Sequence, residues 1–302
     1  MHSKFALILA LGLTVAACGD DDEATNNATN NTTNNTTNND TNNHTTNNGD
    51  HSHAVTLNFA GLVNGEAFSC GQSYNLGTAQ TPSEFSEFKM YVSEVELLTA
   101  NGTAVPVMLD NDAKWQNGSV ALVDFEDGTG SCANGNADVN TAVKGMVEHG
   151  VYTGVRFVLG VPFDNNHGDA ATAESPLNVT SMFWSWQSGY KFLRVDGKAD
   201  NGGFRVHLGS TGCMMGANDT VESCTNGNRP VIEFTDFDVE SDVVNVDIGK
   251  LFEALDMTPD VDGNSAVCMS TPDHAACNQV FPELGLPFGT TAAAAQAVFS
   301  KK

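Results

Sequence analysis

Short segments in which apolar and polar side chains alternate recur along this chain, and they constrain its fold more than any other feature. Examples are VTLNF at residues 55–59 and VNVDI at residues 244–248. A two-residue period is typical of β-strands with one face in a core and the other in solvent. Because turn-forming pairs such as Asn64-Gly65 separate the segments, the pattern predicts an all-β fold. We expect a single β-sandwich domain of Greek-key-like topology, with few short helices and disulfide-stapled loops.

Local irregularities refine this expectation. The apolar positions change parity between Val92 and Val95, which predicts a β-bulge near Ser93. Asn101-Gly102 predicts a tight hairpin. Further turns are expected at Asn117-Gly118, Asp127-Gly128, Asp196-Gly197 and Asp262-Gly263. Helix is predicted only within Gly249–Leu255 and in the alanine-rich stretch Thr291–Phe299.

The first 17 residues have the pattern of a bacterial lipoprotein signal peptide. Lys4 precedes an apolar run from Phe5 to Ala17 that is too short to span a bilayer. Cys18 follows small residues directly, as in a lipobox, so we expect it to be lipidated; an ordinary cleavage site is the alternative. Residues 18–50 are acidic and then Asn/Thr-rich, a composition that predicts a disordered tether. The protein is therefore expected to be exported and membrane-anchored, on the periplasmic face or the cell surface.

Residues 51–302 show no second change in composition, so they are expected to form one domain. The whole chain has 13 Lys and Arg against 37 Asp and Glu, which gives a formal net charge of -24. This charge disfavours nucleic acid and anionic lipid surfaces as partners and attracts cations. An acidic surface that only keeps the protein soluble is equally compatible with it.

Besides Cys18, the chain has six cysteines, an even number that predicts three disulfides in an exported protein. Six cysteines allow 15 pairings. Their spacing favours Cys70 with Cys132, Cys213 with Cys224, and Cys268 with Cys277. No C-x-x-C is present, so a cysteine-rich metal site is less expected.

Motifs of several enzyme classes are absent from the sequence. It has no G-x-S-x-G elbow, no H-E-x-x-H, no P-loop and no dinucleotide-binding G-x-G-x-x-G. A hydrolase or a nucleotide-dependent enzyme is therefore not expected, and we predict a protein without catalytic activity.

The residues that could carry chemistry point to copper. Imidazole is the usual nitrogen ligand of copper, and thioethers select Cu(I). Candidates in predicted loops and strand ends are His51, His53, His167, His207, Met182, Met214, Met215 and Met269. The spacing does not show whether these side chains converge, and each histidine can equally be a hydrogen-bonded structural residue.

Trp184 and Trp186 flank Ser185, so within a strand they would share one face. Packing in a core is the ordinary explanation for such a pair. A platform that stacks on a glycan is the functional alternative. Asp260 and Asp262 are similar to part of a calcium loop, but the terminal Glu of that motif is missing.

Six segments in order give the chain a resemblance to a known family: FKMYVSEVELL, VALVDFEDGTGSC, GVYTGVRFVLGVPFDNNHGD, SPLNVTSMFWSWQSGYKFLRVDG, HLGSTGC and VCMSTPDHAAC. The chain resembles the MbnP-like family, periplasmic copper-binding proteins associated with methanobactin operons and found as the four-cysteine member of metallo-mystery pairs. The resemblance covers nearly all of residues 51–302.

This resemblance implies a β-sandwich that binds Cu(I) and a partner of the di-haem cytochrome c peroxidase family, of the MbnH-like kind. In such pairs the partner oxidises a tryptophan to kynurenine, which supports Cu(I) binding together with histidine. The WSW motif makes Trp184 and Trp186 the candidates for oxidation. His167 of NHGD, His207 of HLGSTGC and His53 ahead of the first strand become candidate ligands.

We therefore expect a copper-binding lipoprotein that sequesters or handles Cu(I), with Met269 as a further candidate ligand and Trp115 as a further candidate for oxidation. Ligation by histidine predicts that copper affinity falls below about pH 6.5. One alternative is a surface recognition module that binds glycan through the WSW tryptophans, with calcium near Asp260. Another is a copper redox enzyme, for which the sequence shows no substrate pocket.

Overall fold

The computed structural model describes residues 51–302 except 136, 201, 218 and 219. The predictions of a signal peptide (1–17), lipidation at Cys18 and a tether (18–50) concern residues outside this part of the chain. Among the residues that are described, no helix is long and apolar enough to cross a membrane.

The described residues form mostly short strands and two short α-helices. The strands are β1 (Ser52–Val63), β2 (Glu66–Ala67), β3 (Ser73–Leu76), β4 (Thr81–Leu98), β5 (Ala104–Pro106), β6 (Met108–Leu109), β7 (Val120–Asp124), β8 (Ala142–Glu148), β9 (Gly154–Leu159), β10 (Phe183–Ser185), β11 (Gly189–Tyr190), β12 (Leu193–Ala199), β13 (Gly202–Leu208), β14 (Thr211–Met215), β15 (Val221–Asn226), β16 (Val231–Phe234), β17 (Val243–Asp247), β18 (Asn264–Cys268) and β19 (Phe299–Lys301). The helices are α1 (Phe163–Asn166) and α2 (Cys277–Glu283). Short 3-10 turns include Gly130–Cys132, Thr180–Met182 and Ile248–Phe252.

The strands assemble into two large sheets and two separate hairpins. One sheet has the order β19-β17-β1-β8-β6, and β2 also pairs with β1. The other has the order β16-β9-β4-β12-β13-β18, with β3, β5 and β7 also paired to β4. The hairpins are β10–β11 and β14–β15. Apolar side chains of both large sheets share one buried core, so the predicted all-β sandwich is confirmed.

The alternation in β1 determines which of its faces is buried. Val55, Leu57 and Phe59 point into the core and are nearly inaccessible to solvent. The Phe59 ring packs edge-on against Phe157 of β9, with 5.6 Å between the ring centroids, and so joins the two sheets. Full burial of such a side chain stabilises the fold by about 1.5–3 kcal/mol.

The predicted bulge in β4 is confirmed. The register of β4 against β9 shifts between Ser93 and Glu96, and Glu94 has a positive φ of 51°. Residues 83–90, before the bulge, pair with β12, and residues 96–98, after it, pair with β5. One long strand can therefore contact many neighbours because the bulge bends it part-way along its length.

The predicted turn at Asp196-Gly197 is wrong, because both residues lie inside β12. The register against β4 shifts between these two residues, as at a bulge. A Cβ atom at Gly197 would lie 2.1 Å from Cζ of Phe204 and 2.4 Å from the carbonyl oxygen of Glu84. Glycine is therefore required for close packing here. As a result, the Asp196 side chain belongs to a central strand.

The predicted helix over Thr291–Phe299 is also wrong. Residues 292–298 have no regular structure, and Phe299 begins β19, which pairs with β17. The buried Phe299 ring packs edge-on against Phe157 at 5.8 Å. This burial and the β19 pairing outweigh the helix propensity of alanine, which differs from that of ordinary residues by at most about 0.7 kcal/mol. Within Gly249–Leu255 the structure has only a 3-10 turn, and α2 was not predicted.

Three disulfides link loops to the sheets, with the pairing that the spacing favours. Cys70 is bonded to Cys132, Cys213 to Cys224, and Cys268 to Cys277. The first closes a separation of 62 residues, whereas the second joins the two strands of the β14–β15 hairpin. Longer closures restrict the unfolded chain more. Disulfides of this kind are typical of an oxidising compartment outside the cytoplasm.

Phe299→Ala should lower the free energy of unfolding by about 3–5 kcal/mol, because it removes a buried ring and leaves a cavity. Chemical denaturation followed by tryptophan fluorescence measures this loss. Val261→Ala is the control, since Val261 is fully exposed and the change should stay within about 0.5 kcal/mol. Equal stability of Phe299→Ala and the parent protein would show that β19 contributes nothing to the core.

Candidate metal centre

Trp184 and His207 lie side by side where the β10–β11 hairpin meets the end of β13. Their ring centroids are 6.2 Å apart, and the ring planes are inclined by 49°. His207 is buried near the end of β13. A Cβ atom at Gly209 would lie 2.4 Å from the Trp184 ring. The indole therefore rests directly on the backbone that follows β13.

Asp196 determines the orientation of the His207 ring. Its Oδ1 is 2.6 Å from Nε2 of His207, and its Oδ2 is 2.9 Å from the Arg194 guanidinium. Burial raises the pKa of Asp196, but the hydrogen bond and charge of His207 and Arg194 outweigh it and hold the pKa below its usual value. Because an ionised carboxylate only accepts hydrogen bonds, Nε2 of His207 carries the proton and Nδ1 keeps its lone pair.

The surroundings of His207 favour the neutral form of its ring. Burial lowers its pKa below 6.5, although the bond to Asp196 acts in the opposite direction. A neutral imidazole that donates one N–H to a carboxylate and offers the other nitrogen is the usual form of a metal-binding histidine.

A group of buried charges continues from Asp196 into the sheet. Its members are Glu87, Lys89, Asp124, Glu126, Arg194 and Asp196. Arg194 bridges Asp196 and Glu87, and Lys89 lies 3.1 Å from the same Glu87 carboxylate. Burial raises the pKa of Glu126 to about 8, despite the adjacent Lys89. Within this region Asp196 raises the pKa of His207, whereas the positive charges of Lys191 and Arg194 lower it.

Two nitrogen atoms of the site have no partner. Trp184 Nε1 and His207 Nδ1 are both buried, and neither makes a hydrogen bond. An unpaired buried polar atom costs about 1–3 kcal/mol, and here two occur on neighbouring rings. A bound metal ion would satisfy Nδ1. The indole N–H has no lone pair to offer, so Trp184 can become a ligand only after chemical modification.

A cavity of about 570 Å³ opens beside Trp184. Met269, His274 and Cys213 also line it. The cavity thus brings the predicted Met269 into the same space as Trp184, where its thioether is available to a soft ion such as Cu(I). Of the other methionines, Met182 is fully buried in the core, and Met214 is largely exposed on β14.

His274 was not predicted as part of the site, although it lies in the VCMSTPDHAAC segment. Its Nδ1 accepts a hydrogen bond from the backbone N–H of Met269 at 3.1 Å. In the neutral ring the proton is therefore on Nε2. His274, which lines the cavity, thus carries a hydrogen-bond donor on Nε2.

His167 contacts the WSW segment from another side. Its Nδ1 donates to the carbonyl oxygen of Trp186 at 3.0 Å, so the lone pair is on Nε2. Burial lowers its pKa below 6.5. Nε2 lies 3.4 Å from Sγ of Cys224, and the two sulfur atoms of Cys213 and Cys224 complete a close group. Because these cysteines are joined in a disulfide, they offer no thiolates to a metal ion.

The two WSW tryptophans have different surroundings. Trp184 Nε1 is buried beside His207, whereas the Trp186 side chain is 43 % exposed. A stacking platform needs two similarly exposed rings, so the arrangement favours a buried role for Trp184. Trp115 lies elsewhere, with the Lys114 ammonium 4.6 Å above its ring.

His53 is not in this site. It lies at the start of β1, where its ring stacks on that of His149 with 4.9 Å between the centroids. The structure therefore brings Trp184, His207 and Met269 together and places His167 next to them through Trp186. It separates His53 from this group.

Asp196 and its ionic partners were not predicted, although the sequence contains a signal for them. In LRVD (193–196), Leu193 and Val195 alternate with Arg194 and Asp196, which is the period of a strand with both charges on one face. The Asp196-Gly197 pair instead predicted a turn, because Asp-Gly pairs are frequent in turns.

Comparisons with known proteins agree with the fold. The sequence model of the MbnP family matches residues 52–270 of this chain. Among solved structures, MbnP from Methylosinus trichosporium is similar with a TM-score of 0.72 and 28 % sequence identity, covering 83 % of this chain and 98 % of that chain. A search of curated protein sequences found no match. The family match includes Trp184 and His207, whereas His274 lies beyond it.

Asp196→Asn should lower the pKa of His207 further in the metal-free protein, because the carboxylate charge now raises it. Nuclear magnetic resonance titration of the His207 ring measures this shift. Asp260→Asn is the control, since Asp260 bonds only to backbone N–H groups of its own loop. An unchanged or higher His207 pKa in Asp196→Asn would contradict the assigned role of Asp196.

Proposed function

Because this chain belongs to the MbnP family, we propose that it binds Cu(I) between His207 and a tryptophan-derived kynurenine at position 184. Membership of the family supports a copper-related function. The observation that carries the proposal is the pair of buried, unpartnered nitrogen atoms on adjacent rings, Trp184 Nε1 and His207 Nδ1.

The modification converts the unsuitable nitrogen of Trp184 into a ligand. Two molecules of hydrogen peroxide each supply one oxygen atom, the C2–C3 bond of the indole breaks to give N-formylkynurenine, and two molecules of water form. Hydrolysis then releases formate and leaves an aryl amine at the former Nε1. This amine has a lone pair, which the indole N–H lacks, and it forms beside His207, whose ring centroid lies 6.2 Å from that of Trp184.

The proposed donors fit a monovalent copper ion. His207 offers Nδ1 while Asp196 holds its other nitrogen. Nε2 of His167 lies 3.2 Å from the Asn166 side-chain amide, so His167 would exchange this hydrogen bond for the metal ion. Met269 adds a thioether in the adjoining cavity, the donor type that favours Cu(I). Bound there, Cu(I) would be held in a site that the disulfides and sheet fix in place.

The proposal includes a partner and a location that the sequence suggested. A di-haem protein of the cytochrome c peroxidase class would activate the peroxide and oxidise Trp184. The protein itself would bind copper without catalysis, for sequestration or handling. Export and anchoring through Cys18 belong to the same proposal, and the three disulfides are compatible with an oxidising compartment.

Trp184→Phe should abolish copper binding in the protein purified from its native host, because phenylalanine cannot yield an aryl amine. Copper analysis and peptide mass spectrometry of one sample test this. In the parent protein, the peptide with residue 184 should show a net gain of one oxygen atom and loss of one carbon atom.

Trp186→Phe is the matched control, since it changes the other WSW tryptophan, whose ring is largely exposed. It should retain both the mass change at position 184 and the copper. Copper that co-purifies with Trp184→Phe at the parental level would refute the proposal, as would a mass change confined to Trp186.

Cu(I) affinity should decrease on acidification at a lower pH than for a solvent-exposed imidazole ligand, whose pKa is about 6.5, because burial lowers the pKa values of both His207 and His167. Protons compete for the lone pairs only below those lowered values. Competition with a Cu(I) chelator whose own pH dependence is known measures the affinity. A decline that begins above pH 6.5 would show that other groups limit binding.

A further inference from the structure

A second group of histidines lies at the start of β1, away from the WSW segment. The rings of His53 and His149 stack with 4.9 Å between their centroids and 21° between their planes. Tyr152 lies against His53 on another side, with 6.5 Å between the centroids. His51 is two residues earlier than His53 and accepts a backbone hydrogen bond from His149 at 2.7 Å. Half of the six histidines in the described residues are therefore in this group.

This group is remote from Trp184 and His207. Gly61 of β1 lies against Phe88 of β4. The residue after Phe88 is Lys89, which pairs with Arg194 of β12, and Arg194 in turn pairs with His207 of β13. His53 is eight residues earlier in β1 than Gly61. At about 3.3 Å per residue, it lies roughly 25 Å away along the strand direction.

His53 has a buried nitrogen without a partner. Its Nδ1 is inaccessible to solvent and makes no hydrogen bond, whereas His149 is exposed. His53 thus has a nitrogen that lacks a partner, and the neighbouring His149 imidazole is accessible to a metal ion from solvent. Bonds of about 2.0–2.1 Å to two imidazole nitrogens require those nitrogens to be about 3–4 Å apart with their in-plane lone pairs converging. The exposed His149 side chain can meet this requirement by turning its ring out of the stack.

We propose that His53 and His149 bind one Cu(II) ion at the start of the domain. β1 pairs His53 with Val147, two residues before His149, which places the two imidazoles on the same face of the sheet. This site does not depend on oxidation of Trp184, so it is separate from the proposed Cu(I) function.

The donor set favours Cu(II) over other ions. Imidazole suits divalent copper, and the affinity of nitrogen sites for first-row divalent ions is highest for copper. The nearby methionines, Met108 and Met146, pair with each other on the opposite face of the sheet from His53. Their thioethers, the donor type that selects Cu(I), therefore do not face the histidines. The formal net charge of -24 raises the local concentration of cations around the domain.

The test uses the full mature chain without a histidine tag and with the His207 site disabled by His207→Asn. Titration with Cu(II) under air, followed by electron paramagnetic resonance, should show one bound ion per chain with hyperfine coupling to at least two nitrogen atoms. His149→Asn should weaken this binding at least about 100-fold, because removing a direct ligand has at least the effect of removing a supporting residue. His149 is exposed, so its substitution leaves the core intact. His53→Asn should weaken binding equally.

Met108→Leu is the control, because it alters the opposite face of the same sheet edge and should leave Cu(II) affinity unchanged. Unchanged affinity in both His149→Asn and His53→Asn would overturn the proposal, and so would a loss in Met108→Leu. Cu(I) binding at Trp184 is measured separately in protein that retains His207. The Cu(II) proposal and the Cu(I) proposal can therefore be confirmed or refuted independently of each other.

Discussion

The hydrogen bond between His207 and Asp196 is the constraint on which the candidate metal centre depends. It selects the tautomer that leaves Nδ1 free, and it links the ring to the buried charges of β4 and β12. Without an ionised Asp196, the histidine could turn either nitrogen toward Trp184. Gly197 has no side chain, so β12 can pack closely against Phe204 and Glu84 at the bulge. Asp196 therefore stays within the sheet, where its side chain reaches His207.

Buried charges and buried nitrogen atoms without hydrogen-bond partners each lower the stability of a folded protein. Both features occur in the region around His207. Ion pairs among Glu87, Lys89 and Arg194 compensate part of the cost of burying charge. No hydrogen bond compensates Trp184 Nε1 or His207 Nδ1. A fold held by three disulfides and a large shared core can tolerate this local cost, and such tolerance is characteristic of sites that bind a ligand.

Local patterns predicted the fold well wherever burial and strand period agree. The strand faces of β1 and β17 and the bulge after Ser93 followed from the alternation of apolar residues. The predictions failed where a local propensity opposed a long-range contact. Alanine-rich Thr291–Phe299 became extended because Phe299 is buried against Phe157, and Asp196-Gly197 stayed in a strand because Phe204 occupies the space beside Gly197.

The sequence by itself determined the class of the protein: an all-β, disulfide-linked domain, with histidine and methionine donors near a WSW motif and a resemblance to MbnP-like proteins. Only the tertiary structure decided which donors meet. It placed His207 and Met269 with Trp184, put His167 beside Trp186, and moved His53 to a separate group with His149. The physical reason is that strand pairing joins residues far apart in the chain, so the spacing of donors along a sequence does not determine their distances in space.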